Sequence, residues 1–118
     1  MDHSSAVLIG IGASRGTAYG TARTVHSLDE FALVRPGDVL VCRTTDPAWT
    51  PLFGMVAAVI TETGGMLSHA AIVAREYGIP AVLGIADALT RINTGTTLIV
   101  NGTHGIVHEK PASPGAGP

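Results

Sequence analysis

Charge and aromatic rings are both scarce in this chain of 118 residues: Asp, Glu, Lys and Arg make up 14% of it, and Phe, Trp and Tyr only 4%. There is no run of Lys or Arg, and the formal net charge is −2, so the basic footprint of a nucleic-acid-binding surface is missing and nucleic acid is not expected among its partners. No apolar run reaches the roughly 18 residues that a membrane-crossing helix needs. The start, Met1-Asp2-His3-Ser4, lacks the basic stretch of a secretion signal, so no membrane contact and a cytoplasmic location are expected. The single cysteine, Cys42, has no second thiol in the chain to pair with, and its strand-like setting predicts a buried, reduced side chain. His3, His26, His104 and His108 are not spaced three or four residues from another ligand type, so no metal site is expected.

What the chain does have is aliphatic bulk. Hydrophobic residues are 46% of it, which excludes a disordered chain and points to Val, Ile, Leu and Ala strands packed on a helix. The length suits one hydrophobic core and not two, since domains typically need about 100 to 150 residues each.

Read in order, Ala6–Ile11 is expected as a strand, followed by a glycine-rich turn and a second strand at Thr17–Val25. Leu28–Val34 is a connecting segment ending in the turn Arg35-Pro36-Gly37-Asp38. Asp38–Arg43 and Val56–Thr61 are β-branched runs of the length of buried strands. Between them, Asp46-Pro47 can open a helical turn that Pro51 keeps short. His69 to Tyr77 reads as a helix, stopped by Gly78 and by Pro80 two residues later. Ala81–Leu83 is then a third buried strand, and a strand–helix–strand order with short links implies a right-handed parallel unit. Leu98–Val100 and Gly105–His108 are read as a hairpin turning at Asn101-Gly102. The segment Gly10-Ile11-Gly12-Ala13-Ser14-Arg15-Gly16 has the look of a dinucleotide fingerprint, but a strand-like segment follows it where that motif needs a helix, so the reading is rejected.

Chemistry concentrates in Thr63-Gly64-Gly65-Met66-Leu67-Ser68-His69, which sets one histidine between a glycine pair and the start of an apolar helix. Gly64 and Gly65 let the chain turn sharply and let a bulky anion approach the backbone. Ser68 is a good N-cap, so free N–H groups and the positive end of the helix dipole should lie beside His69. An imidazole titrates near neutral pH, so a large fraction is an uncharged nucleophile able to take a phosphoryl group and release it again. The parallel unit puts His69 at the carboxyl end of the strand Val56–Thr61, the edge where open α/β sheets place ligands.

From Thr61 to Gly84 the chain reads TETGGMLSHAAIVAREYGIPAVLG, which closely resembles the phosphohistidine motif of the phosphoenolpyruvate-utilising enzymes, among them phosphoenolpyruvate synthase, pyruvate phosphate dikinase, the sugar-phosphotransferase enzyme I and rifampicin phosphotransferase. Gly12-Ala13-Ser14-Arg15-Gly16-Thr17-Ala18-Tyr19-Gly20 resembles the family's opening segment. Pro36–Val41 with Thr45-Asp46-Pro47-Ala48-Trp49 resembles its middle, and Gly95–Gly102 with Gly105-Ile106-Val107 its closing hairpin. The matches run in family order from about residue 8 to residue 108.

The resemblance implies an α/β fold: a swivelling, three-layer β/β/α phosphohistidine domain over residues 1–110, with a partly parallel central sheet and a C-terminal β-hairpin. The proline- and glycine-rich residues 111–118 would be a disordered tail or linker stub. It also implies that His69 is the catalytic residue that carries the phosphoryl group. Thr63, Gly64, Gly65 and Ser68 are the candidate phosphate-binding residues, with Thr61 a weaker candidate. Asp46 either orients the imidazole or caps a short helix. Arg75 lies six residues beyond His69, about 240° around a helix, so a structural ion pair or a partner contact is expected of it before a phosphate contact. One departure stands out: many relatives carry threonine two residues before the histidine, a regulatory phosphorylation site in plant dikinases, and Leu67 excludes that regulation here.

The chain contains no cofactor site of its own, no ATP-cradling glycine loop and no room for a phosphoenolpyruvate-binding barrel. ATP with magnesium, or phosphoenolpyruvate, is therefore expected on partner domains: a nucleotide-binding ATP-grasp unit and a phosphoenolpyruvate- or acceptor-binding unit. The first reading is a carrier that cannot complete a cycle alone, whether stand-alone or cut from a longer polypeptide. The alternative is a non-catalytic binding module that keeps the swivelling fold without being phosphorylated. A third is a structural subunit that completes a neighbour's site.

Overall fold

A computed structural model describes residues 7–110. Its eight strands are β1 (Val7–Ile9), β2 (Ile11–Ser14), β3 (Thr17–Thr24), β4 (Val39–Cys42), β5 (Ala58–Thr61), β6 (Ala81–Leu83), β7 (Thr97–Asn101) and β8 (Ile106–Lys110). Two α-helices, α1 (His69–Tyr77) and α2 (Ala88–Arg91), and two 3-10 helices, Leu28–Leu33 and Pro47–Gly54, complete the fold. The expected tail at 111–118 lies outside the described residues, as do Met1 to Ala6.

The strands hydrogen-bond in the order β1-β8-β7-β3-β4-β5-β6-β2. From β3 through β6 the neighbours are parallel, whereas β1, β8, β7 and β3 pair antiparallel, as do β6 and β2. The unit β5–α1–β6, with Val59 opposite Ala81 and Ile60 opposite Val82, is the parallel strand–helix–strand expected from the sequence.

Alternation along the parallel strands produces three layers. Leu40, Cys42 and Val59 point into a cluster with Trp49, Leu52 and Phe53 of the second 3-10 helix and Ala70, Ala71, Val73 and Ala74 of α1. Val39, Val41, Ala58 and Ile60 point the other way, against Leu98 and Val100 of β7, Val107 of β8 and Leu8 of β1. The sheet of this single domain thus carries an apolar cluster on each face, with α1 and the 3-10 helices over one face and the antiparallel strands together with Ala88 of α2 over the other. This is the expected β/β/α arrangement, and it explains why β4 and β5 are buried at every position.

Besides shifts of one or two residues at the ends of several strands, three features differ from the sequence reading. The first strand is not continuous to Ile11: it breaks at Gly10, so β1 pairs with β8 at one edge and β2 with β6 at the other. The N-terminal strand pair therefore joins the two ends of the sheet. Gly10 permits this because a side chain there would press into Ile85 and Val82, and its N–H bonds the Gly105 carbonyl at 2.8 Å. The hairpin turn is wider than a two-residue Asn-Gly turn: Asn101 is still in β7, opposite Ile106, and residues 102–105 form the loop. The Asn101 side chain accepts the His104 N–H within it at 3.0 Å. Finally, the second 3-10 helix runs eight residues with Pro51 inside it, and Pro47 sits in its first turn, where no N–H donor is needed.

Candidate functional site

His69 is the first residue of α1, and each flank of its position is set locally. Ser68 precedes it in extended conformation, and its hydroxyl accepts the Ala71 N–H at 3.4 Å while donating to the Gly65 carbonyl at 2.8 Å. One side chain thereby ties the helix start to the glycine loop. Gly64 turns that loop with φ of 107°, and a Cβ there would lie 3.1 Å from the Ser68 hydroxyl. A Cβ on Gly65 would meet nothing within 4 Å, so the loop is open at that residue. At the far end Gly78 closes the helix in the left-handed conformation, as the sequence predicts.

The imidazole is held from the loop after β4 and from the second 3-10 helix. Thr45 Oγ1 lies 2.8 Å from Nδ1, and Thr50 Oγ1 lies 3.3 Å from Nε2. The Phe53 ring meets the imidazole edge-on, with centroids 6.0 Å apart and planes at 86°. Thr45 is buried and His69 half-buried, so the shorter contact is shielded from competing water. Thr45 follows β4 and the His69 loop follows β5. These strands are parallel neighbours, so their carboxyl ends share the edge at which the histidine stands.

The expected site residues are gathered here unequally. Thr63 is exposed, and its hydroxyl donates to the Arg43 carbonyl at 3.2 Å. Thr61 is buried and donates to the Thr63 carbonyl at 2.6 Å, shaping the loop from inside. Asp46 takes the capping role of its two readings: its carboxylate accepts the Ala48 N–H at 2.8 Å and starts the 3-10 helix. The residue beside it, Thr45, holds the imidazole instead. Arg75 forms no ion pair among the described residues; its Nε donates to the Ala13 carbonyl at 2.7 Å. Leu67 stands beside the histidine 87% exposed. Thr45, Thr50 and Phe53 escaped the sequence reading as partners of His69, because they lie 16 to 24 residues away and only the tertiary fold unites them.

Two further side chains frame the electrostatics. Glu62 accepts the Leu89 N–H at 2.9 Å, at the start of α2. The Cys42 thiol is pushed up to about 12, chiefly by burial and secondarily by the Glu62 charge, so it stays protonated and is no nucleophile near neutral pH. Among the described residues no group of three or more His, Cys, Asp or Glu is placed to hold a metal ion, and no helix is long and apolar enough to cross a membrane.

Residues 34–105, from the end of the first 3-10 helix through the hairpin loop, match the model of the PEP-utilising enzyme mobile domain. The chain belongs to the PEP-utilising enzyme family. Over 98 residues it is 52% identical to the uncharacterised phosphotransferase YvkC of Bacillus subtilis, covering 83% of this chain and 12% of that protein. Over 106 residues it is 45% identical to the rifampicin phosphotransferase of Streptomyces sviceus, covering 90% of this chain and 12% of the relative. The chain thus spans only a small part of these PEP-utilising relatives. Among solved structures, an Enzyme I protein determined in solution matches with a TM-score of 0.59 and 34% identity, over 68% of this chain and 33% of that one. That likeness fits the swivelling fold of the family's mobile domains.

Proposed function

We propose that this chain is the phosphoryl-carrying domain of a PEP-utilising phosphotransferase, with His69 as the covalent carrier. The observation that supports it most is the imidazole itself: it opens α1, and its Nδ1 is engaged at 2.8 Å by a buried threonine. With the Nδ1 proton donated to Thr45 Oγ1, the Nε2 lone pair is the nucleophile. It attacks the terminal phosphorus of ATP or phosphoenolpyruvate held on a partner domain; the N–P bond forms as the P–O bond to the leaving group breaks, and the electron pair leaves with that oxygen. The ring becomes an imidazolium whose Nδ1–H remains on Thr45, which offsets the positive charge until an acceptor oxygen on a second partner takes the phosphoryl group.

The loop supplies the anion's surroundings. The first-turn amides of α1, other than the one Ser68 caps, have no carbonyl partner within the helix, and the dipole places roughly half a positive charge there. Gly64 and Gly65 leave room for the phosphoryl oxygens, Ser68 fixes the helix start, and the exposed Thr63 hydroxyl turns from Arg43 to the bound group. Partner domains carry the nucleotide and the acceptor, consistent with the small share of each relative that the chain spans.

The test is the intact mass of the chain after incubation at mildly alkaline pH with ATP or phosphoenolpyruvate and an extract of its native cells. The expected result is a gain of one phosphoryl group that acid removes and that His69→Ala never acquires. A gain that survives acid, or that His69→Ala retains, overturns the proposal.

A further inference from the structure

On the opposite flank of α1 lies a second feature that the carrier chemistry does not use. An open cavity of about 610 Å³ is bounded by β2, the glycine loop, the end of α1 and the hairpin loop, with Ala13, Arg15, Met66, Arg75, Gly102 and Thr103 among its lining residues. The His69 imidazole is not part of it: that ring faces the second 3-10 helix through Thr50 and Phe53, whereas Arg75 faces β2 through Ala13.

Charge makes this cavity unusual for the chain. The protein has nine acidic residues against seven Lys and Arg, yet two of those seven line this one cavity and, among the described residues, no Asp or Glu does. The ion pairs among the described residues, Arg23 with Asp38 and His26 with Glu30, lie elsewhere, and neither Arg15 nor Arg75 takes part in one among those residues. Arg75 is also held in place. Its Nε donates to the Ala13 carbonyl at 2.7 Å and its Nη2 lies 3.7 Å from Met66 Sδ, which fixes the guanidinium at the cavity wall with donor capacity unspent. The floor is backbone: Gly12 and Gly102 pack so closely against the hairpin loop and β2 that neither has room for a Cβ, so the main chain itself lines the space.

We infer that this cavity is a binding site for a small organic anion, with a carboxylate or phosphate head between Arg15 and Arg75 and a carbon body against Ala13 and Met66. The volume lies within the range of about 300–1,000 Å³ typical of small-molecule sites, which leaves space for more than a bare oxyanion. Planar guanidinium groups bind both head types in bidentate fashion, so the shared chemistry is an oxyanion. The inference stands independently of the carrier reading, because it uses none of the residues that hold the imidazole.

The test is a titration of the full chain at low salt, followed by amide chemical shifts, with inorganic phosphate, glycerol phosphate and succinate as separate probes and sodium chloride at matched ionic strength as the control. Saturable shifts are expected at Gly12 to Gly16, Met66, Arg75 and Gly102-Thr103, with an organic probe tighter than inorganic phosphate; the tighter organic probe identifies the head. Losing one charged donor pair weakens binding by about tenfold or more, so Arg15→Gln should do this while leaving the fold intact. Arg75→Gln, which also removes the bond to Ala13, should weaken it at least as far. His69→Ala should leave the shifts in place. Shifts that are linear and spread over the surface, that match chloride, or that persist unchanged in Arg15→Gln overturn the inference.

Discussion

The two halves of the sheet are built from similar aliphatic residues but serve different ends. In the parallel half, β4 and β5 are buried at every position, with one apolar cluster beneath them and another above. In the antiparallel half, β7 alternates between buried and half-buried residues, and β1 leaves Val7 and Ile9 exposed. The histidine stands at the carboxyl edge of the parallel half, where the backbone is held from both faces. Rigidity lies under the site, and tolerance lies on the outer antiparallel face.

The sharpest way to break this contrast is to remove one side chain from the core packed under the parallel half and one from the outer antiparallel face. Phe53→Ala removes a ring that is 1% exposed and packs against both His69 and Tyr77, so it should lower unfolding free energy by about 3–5 kcal/mol in urea denaturation. Ile9→Ala on the antiparallel face, where the side chain is 74% exposed, should change it by less than about 0.5 kcal/mol. Equal losses would show that the two halves are equally committed.

Next in size is a change confined to the site. Thr45→Val keeps the buried shape and deletes the Nδ1 partner, so phosphoryl loading of His69 should slow by about tenfold or more with little shift in the unfolding midpoint. Thr50→Val, at 3.3 Å, should have the smaller effect. Reversal of that order would locate the reactive nitrogen at Nδ1.

Much of this site was legible because its signals are local. Ser68, Gly64, Gly78 and the apolar run between them specify a capped helix within a short stretch, and the structure places α1 over His69–Tyr77. The buried strands β4, β5 and β6 were legible for the same reason, as short runs with no alternation. What could not be read were the consequences of closure. Thr45 and Thr50 resemble any turn or helix threonine until β4 and β5 align in parallel and bring them to the ring. Gly10 looks like one more loop glycine, although it lets the first strand change edges. Asn101-Gly102 signals a tight turn, but Gly105, with φ of 73°, carries the left-handed residue of a longer loop.

Smaller effects refine the comparison. Ser68→Ala should cost about 1 kcal/mol in stability, the usual loss of an N-cap, measured by thermal or urea unfolding. Cys42 should be the quietest position of all near neutral pH: a thiol-specific reagent should leave the native protein unlabelled and react only once denaturant is added. Its raised folded pKa carries a sign. The contribution is fully present below the unfolded thiol pKa of about 8.5 and is lost as pH rises from there toward about 12, so stability should decline over that alkaline window. Cys42→Ser, with no thiol to ionise, should flatten that decline.

The most direct test of the central claim is a long-range 1H–15N spectrum of the imidazole in the phosphorylated chain, recorded at alkaline pH after loading. The account predicts one phosphoryl group bonded to Nε2 of His69, with Nδ1 protonated toward Thr45. A phosphoryl group found on any other residue, or an unmodified His69 in a chain that has gained the phosphoryl mass, would contradict it.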